Sequence, residues 1–342
     1  MCIRDGVVPR RVRSPPLTTP PPPPRLPIGG GGTHLPSYYR RKGGRLVSAA
    51  INRYVYISIN TTFTDDYLLK YSTIERVATT AEIDHDILRT ALELHKMAPG
   101  IEIVSMADIP AGTGLGSSGS FTVGLLRALY AHRLQPVLTD ELAEQACAIE
   151  IDHLKEPVGK QDQYIAAYGG VTSFAFHPDD RVDAARLEVS DDTLSELEEH
   201  LLLFFTGYSR AASQMLADQD RRSTEADEAM LANLDHTMAL GDEIANALIA
   251  GDTEAFGELM HEHWEAKRAR TSGMSNPDID RYYAVARSAG ALGGKVVGAG
   301  AGGFLLVYAP EPTKVRRAMK AEGLDELRFR FDHLGSTVLT AQ

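Results

Sequence analysis

The chain has 342 residues, 43% of them hydrophobic and 24% charged, an ordinary composition for a globular protein long enough to hold two domains. No stretch approaches the ~18 consecutive apolar residues of a membrane helix. Two cysteines, Cys2 and Cys147, are too few for a disulfide scaffold or a cysteine zinc site and fit a reducing cytoplasm. The net charge of −11 argues against nucleic acid as the main partner.

Charge is unevenly spread. Residues 1–45 carry nine Arg or Lys and one acid, Asp5, whereas the rest carries a net −19. The first 24 residues hold eight prolines, too many for a helix or central strand, with few large apolar side chains to pack. Residues 1–24 therefore read as a disordered leader, and the absence of an apolar h-region excludes a secretory signal.

Past the leader, Leu46–Asn60 is β-rich and reads as a strand, alternating from Tyr54 to Ile59. Asp84–Lys96 has helical apolar spacing, and Ile101–Met106 is a short strand. Pro110–Ser120 is a glycine-serine loop that runs into an amphipathic helix. Thr139 opens a helix expected to reach about Lys155. Val171–Phe176 and Leu201–Phe205 read as strands, Ala211–Gly273 as almost continuous helix, and the strand from Phe304 follows a glycine cluster. Strands and helices interleave in both halves, a mixed α/β (α+β) pattern with a boundary near residue 195.

Three glycine clusters stand out: Gly29–Gly32, Gly112–Gly119 and Gly298–Gly303. Clustered backbone N–H groups at a helix start make an anion site. Both literal GxGxxG matches lack the strand–turn–helix context of a dinucleotide fold. No Lys precedes Ser117-Ser118, so a Walker A loop is excluded, and GxSxG is absent. What remains is a phosphate loop ending in hydroxyls, with Ser117, Ser118 and Ser120 available to phosphate or its Mg²⁺.

Three segments taken in order, Arg25–Pro36 (RLPIGGGGTHLP), Pro110–Ser120 (PAGTGLGSSGS) and Val297–Phe304 (VGAGAGGF), resemble the motifs of the GHMP kinases, the superfamily of galactokinase, homoserine kinase, mevalonate kinase and phosphomevalonate kinase. GGGGTHLPSYY, LKEPVGKQDQYIAAYGG, HEHWEAKR and ALGGKVVGAGAGGF look most like the D-glycero-D-manno-heptose 7-phosphate kinases. The resemblance implies a two-domain fold: a ribosomal S5 domain 2-like ATP-binding domain over 25–195 and a ferredoxin-like domain over 196–342.

By the same resemblance, Gly112, Gly114, Leu115, Gly116, Ser117, Ser118 and Gly119 hold ATP. Ser118 and Glu150 hold Mg²⁺, both hard oxygen ligands. Asp162, 12 residues after Glu150, is the catalytic base, and Arg25 supports the transferred charge. Gly32, Thr33, His34 and Lys160 face the substrate. Tyr38 and Tyr39 read equally as pocket wall or core. His261 and His263, two apart, face different sides of a helix and make no metal site.

His34 departs from the family's GGGTDL pattern, in which Asp is a sugar-hydroxyl acceptor; an unperturbed His titrates near ~6.5, so substrate affinity is expected to vary between about pH 5.5 and 7.5. The function implied is ATP-dependent phosphorylation of a sugar or sugar phosphate, most simply the anomeric hydroxyl of a heptose 7-phosphate. A kinase for fucose or galactose and a non-catalytic sugar or nucleotide sensor are the alternatives. A homodimer is compatible with the reading; a membrane partner is not expected.

Overall fold

A computed structural model describes residues 17–18, 22–207, 212–271 and 273–337. Among these, twelve strands follow in chain order: β1 (Leu17–Thr18), β2 (Arg25–Gly30), β3 (Gly44–Ala50), β4 (Val55–Thr61), β5 (Tyr67–Lys70), β6 (Ile74–Val77), β7 (Ile101–Ala107), β8 (Val171–Phe176), β9 (Val182–Arg186), β10 (Leu201–Gly207), β11 (Gly293–Val296) and β12 (Gly303–Tyr308). They form three sheets, ordered β1-β4-β7-β5-β6, β2-β3-β8-β9 and β10-β12-β11.

The first sheet shows the period-two logic of a half-buried strand. Val55, Ile57 and Ile59 of β4 point into a core closed by the helix Ser117–His132, while Tyr56 and Ser58 face outward. The β-rich run from Leu46 is two strands rather than one. The chain turns at Ile51–Tyr54, where Ile51 N–H donates to Pro24 O and Asn52 N–H to Arg330 O.

The last sheet has the connectivity of a ferredoxin-like unit. The connection from β10 to β11 is helical, β11–β12 is antiparallel, and the helix Pro312–Ala321 returns the chain to β10. The fourth strand is reduced to a bridge between Phe204 and Glu326 on the free edge of β10.

Two expected boundaries need correction. The run over 211–273 is three helices, Ala212–Thr224, Glu228–Ala250 and Thr253–Arg270. Each later helix starts at an Asp cap: Asp227 accepts from Met230 N–H and Asp252 from Ala255 N–H. The helix from Thr139 ends at Cys147 and continues as a π-helix over Ala148–His153, a form that recurs at functional sites.

The leader reading is also corrected at its end. Leu17–Thr18 pairs with β4 as an edge strand, a position that tolerates nearby proline. Pro22, Pro23 and Pro24 are buried. Pro23 O accepts from the Ser120 hydroxyl, and Gly124 lacks a side chain where Pro22 and Ile57 approach. Residues 1–16 and 19–21 lie outside the described residues.

The two halves pack against each other. One core cluster joins Leu26, Ile28 and Val47 to Leu203, Ile244, Leu248 and Leu306. The C-terminal segment recrosses to the first half, where Asp332 N–H donates to Ala50 O and Gly170 N–H to Asp332 O. No helix among the described residues is long and apolar enough to cross a membrane.

Candidate active site

The loop Pro110–Gly116 feeds the helix Ser117–His132, with Gly112, Gly114 and Gly116 at positive φ and Gly116 as N-cap. The free N–H groups of this first turn form an anion site. The loop is buttressed by the second glycine cluster: a Cβ on Gly114 would lie 2.7 Å from Val297 O, and one on Gly298 2.7 Å from Gly114 O. Much of the glycine content of Val297–Phe304 thus serves backbone-to-backbone packing.

Not every residue of the loop faces outward. Leu115 is core, its carbonyl accepting from Arg25 N–H. Gly119 packs on the helix Gln161–Tyr168, where a Cβ would come within 2.7 Å of Asp162 Cβ. Ser120 is tied to the carbonyls of Pro23 and Gly116. Of the loop's three serines, only Ser117 and Ser118 stay accessible.

Asp162 sits in the first turn of the helix Gln161–Tyr168, beside Gly116. Arg25, 8% exposed at the start of β2, donates from Nε to Asp162 Oδ1 at 2.7 Å and from Nη2 to Oδ2 at 3.1 Å, while Nη1 reaches Gly114 O at 2.5 Å. This fork fixes the carboxylate and ties it to the glycine loop.

Glu150 is 2% exposed on the π-helix. It accepts from the Ser118 hydroxyl and, at 2.9 Å, from Gln163 Nε2. Burial pushes its carboxyl above the usual range, a shift opposed by the Ser118, Gln163 and Thr122 side chains. Ser118 and Glu150 are adjacent hard oxygen donors that can reach one cation, so the pair fits Mg²⁺.

Asp162 and Arg25 also line a cavity with Gly30, Gly31, Gly32, His34, Gly159, Gln219, His263, Lys267, Arg270 and Lys295. His34 Nδ1 accepts from Gly32 N–H, and burial lowers its pKa to about 4, with Asp162 opposing the shift. The expected titration near neutrality is therefore corrected: His34 stays neutral. Gly32 admits the Arg270 guanidinium, since a Cβ there would lie 2.6 Å from Nη1.

Two expected substrate residues lie elsewhere. The Thr33 hydroxyl, fully buried, donates to Arg45 O. Lys160 is bound by Glu144 at 2.8 and 2.9 Å and by Asp180 O, outside this cavity. Tyr38 and Tyr39 are buried with their hydroxyls on Asp235 and Asp180, and they do not line the cavity.

Residues 67–170 match the GHMP kinases N terminal domain and residues 244–325 the GHMP kinases C terminal family. The chain is a GHMP kinase. It is similar to a D-glycero-alpha-D-manno-heptose 7-phosphate kinase of Campylobacter jejuni, 28% identical over 303 residues that cover 85% of this chain and 88% of the relative. A mevalonate kinase of Methanothermobacter thermautotrophicus is 28% identical over 225 residues, covering 66% and 70%. Among solved structures, a D-glycero-D-manno-heptose 1-phosphate kinase from Bacteroides thetaiotaomicron superposes with a TM-score of 0.75 at 26% identity, covering 96% of this chain and 99% of that one. As a GHMP kinase the chain is an ATP-dependent phosphotransferase, and the fold is the expected two-domain one.

Beyond Arg25 and His34, the basic residues of this GHMP kinase's cavity were not expected from sequence. His263, Lys267 and Arg270 sit at i, i+4 and i+7 on the helix Thr253–Arg270, a spacing that places three polar groups on one buried face. Lys295 stands two residues before the glycine motif on β11. The helical period of this segment is the signal that sets the three on one face.

Proposed function

We propose that this GHMP kinase transfers the γ-phosphoryl group of ATP to the anomeric hydroxyl of a heptose 7-phosphate. The observation that carries the reading is the place of Asp162. Its carboxylate touches the glycine loop at Gly116 on one side and lines the cationic cavity on the other. A group there meets both a nucleotide phosphate on the loop and an acceptor in the cavity. The acceptor's chemistry is taken from the Campylobacter relative, whose name specifies a heptose 7-phosphate.

Phosphoryl transfer needs positioning and charge stabilisation more than covalent chemistry. The loop amides and the Ser117 and Ser118 hydroxyls hold the phosphates. Asp162 takes the proton from the acceptor hydroxyl as the O–P bond forms and the β–γ bridging bond breaks, leaving ADP. Arg25 holds both carboxylate oxygens in place. Ser118 and Glu150 would hold Mg²⁺, which offsets phosphate charge when bound. The cavity walls at Gly30–Gly32 and His34 orient the sugar. The Arg25–Asp162 and Ser118–Glu150 pairs both face this chemistry, which favours an enzyme over a sensor.

The test is ADP release with Mg-ATP against heptose 7-phosphate, heptose, fucose, galactose and mevalonate, with the product analysed by phosphorus NMR. Preferred turnover of the heptose phosphate with a new anomeric phosphate is the expected result. Preference for fucose, galactose or mevalonate overturns it.

A further inference from the structure

Lys295 is 2% exposed, and its side chain lines the cavity. Among the described residues, no hydrogen-bond acceptor or acid partners its ammonium group. The charges that bear on it are Arg25 and Arg270, both cations, whereas the Asp162 charge bears on His34. Arg25 is already paired with Asp162. Arg270, 6% exposed, has only neutral partners among the described residues: Asn233, Gln219, Thr237 and Gly31 O. Lys267, 7% exposed, donates to Val296 O at 2.8 Å and Gly298 O at 2.6 Å. Three buried basic side chains thus share one cavity, none of them paired with an acid among the described residues, and burial without a partner lowers Lys295 to about 7 and Lys267 well below its usual range.

Buried charge without a partner is strongly unfavourable. Neutral sugar hydroxyls do not offset it. A carboxylate brings one negative charge, while a phosphate monoester brings nearly two and three acceptor oxygens. The cavity is otherwise rich in donors. With His34 Nδ1 accepting from Gly32 N–H, the neutral ring carries its proton on Nε2, which is then a donor. Gly112–Gly119, Ser117 and Ser118 do not line this cavity, so the cations lie on the acceptor side of Asp162 rather than along the nucleotide loop.

We infer that Lys295, supported by Arg270 and Lys267, binds a phosphate monoester already present on the acceptor and makes this enzyme select phosphorylated over free sugars. The inference rests on the acceptor-cavity reading above and names the group that sets its substrate class. It also implies a place in a reaction sequence: a kinase or a phosphate-retaining isomerase must supply the substrate.

The test is Lys295→Met in the full chain, read by calorimetry with ADP present. The ligands are heptose 7-phosphate, heptose and inorganic phosphate. In the wild type, heptose 7-phosphate should bind far more tightly than heptose. In the variant, the ratio of the two affinities should fall by roughly 30-fold, the lower range for removing one partner of a buried charge pair. Inorganic phosphate should raise the melting temperature of the wild type and not of the variant. The ligand-free variant should melt no lower than wild type, because a buried amine without a partner is gone; a structural lysine would give a lower value.

An unchanged affinity ratio overturns the inference. So does an equal loss for both sugars with weakened ATP use, which would assign Lys295 to the transferred phosphoryl group. If neither heptose binds but Lys295-dependent phosphate binding persists, the heptose reading fails while the anion site stands. If phosphate stabilises the two proteins alike, the anion site itself is refuted.

Discussion

Arg25 and Asp162 stand 137 residues apart in sequence and meet through two hydrogen bonds, while the same guanidinium reaches Gly114 O. One side chain therefore sets the angle of the carboxylate and its distance from the nucleotide loop. Asp162 is only partly buried, its side chain 25% exposed, so an entering hydroxyl can still reach it.

Replacing that carboxylate separates chemistry from binding. Asp162→Asn is expected to lower kcat by at least ~100-fold, the usual size of a general-base contribution. ATP affinity should change little, because the loop amides are untouched. Steady-state kinetics and nucleotide titration check this, and near-normal turnover would remove Asp162 from the role.

Ser118→Ala and Glu150→Gln should each raise the Mg²⁺ concentration for half-maximal activity, since each removes one hard oxygen ligand. Glu150→Gln carries a second readout. Burial raises the folded-state pKa of Glu150, so the folded state binds the extra proton and stability falls as pH rises from the unfolded carboxyl value through the raised one. The ligand-free variant should therefore melt at or above the wild-type temperature at pH 7. Gln163 can accommodate it by turning its amide, because its Oε1 is buried without a partner. Unchanged Mg²⁺ titrations in both variants would refute the metal assignment.

His34 has a folded pKa of about 4, set by burial and by Arg25 and Arg270, against Asp162. The unfolded chain takes up this proton near ~6.5 and the folded one only near 4, so stability contributed here is lost as pH falls across that window. His34→Gln should flatten the acid side of the stability profile in urea melts. It should leave the shape of the acceptor-affinity profile between about pH 5.5 and 7.5 as in the wild type. A profile that changes shape there would mean that His34 titrates in the cavity after all.

The proline segment offers a stability test. A chain starting at Leu17 and one starting at Arg25 differ by the β1 edge and the buried Pro22–Pro24. The shorter one should melt about 1.5–3 °C lower, equivalent to losing about 1–2 kcal/mol in a protein of this size. Equal melting temperatures would show that these contacts add nothing.

Sequence carried the glycine loop, the strands Ile101–Ala107 and Val171–Phe176, the helix after the loop and the family itself. These rest on local signals: turn chemistry, period two and motif order. It also supplied Asp162, Arg25, Ser118 and Glu150, and the fold brings each to the loop or cavity. Local pattern could not say which loop residues face a ligand. Leu115 and Gly119 belong to a phosphate motif yet pack inward, because packing is decided by elements far along the chain. Lys160 has the right charge in the right motif, but Glu144 claims it across a turn of structure that spacing does not reveal. Conversely, Lys295 lies within the stretch ALGGKVVGAGAGGF and Arg270 just past HEHWEAKR, yet their place in the cavity becomes visible only when it assembles from both halves.

The recrossing of the C-terminal segment bears on how the chain comes off the ribosome. Asp332 accepts from Tyr54, Leu334 N–H and Gly335 N–H, and its backbone joins Ala50 and Gly170. The sheet that carries Arg25 thus gains contacts at the ends of its two central strands from residues translated almost three hundred positions later. Nascent chains stalled before Phe331 should remain open to protease in the first half, and release of the final segment should close both halves in one step. Synthesis order and assembly order then differ: β3 emerges early, but its Ala50 carbonyl is capped only when Asp332 arrives.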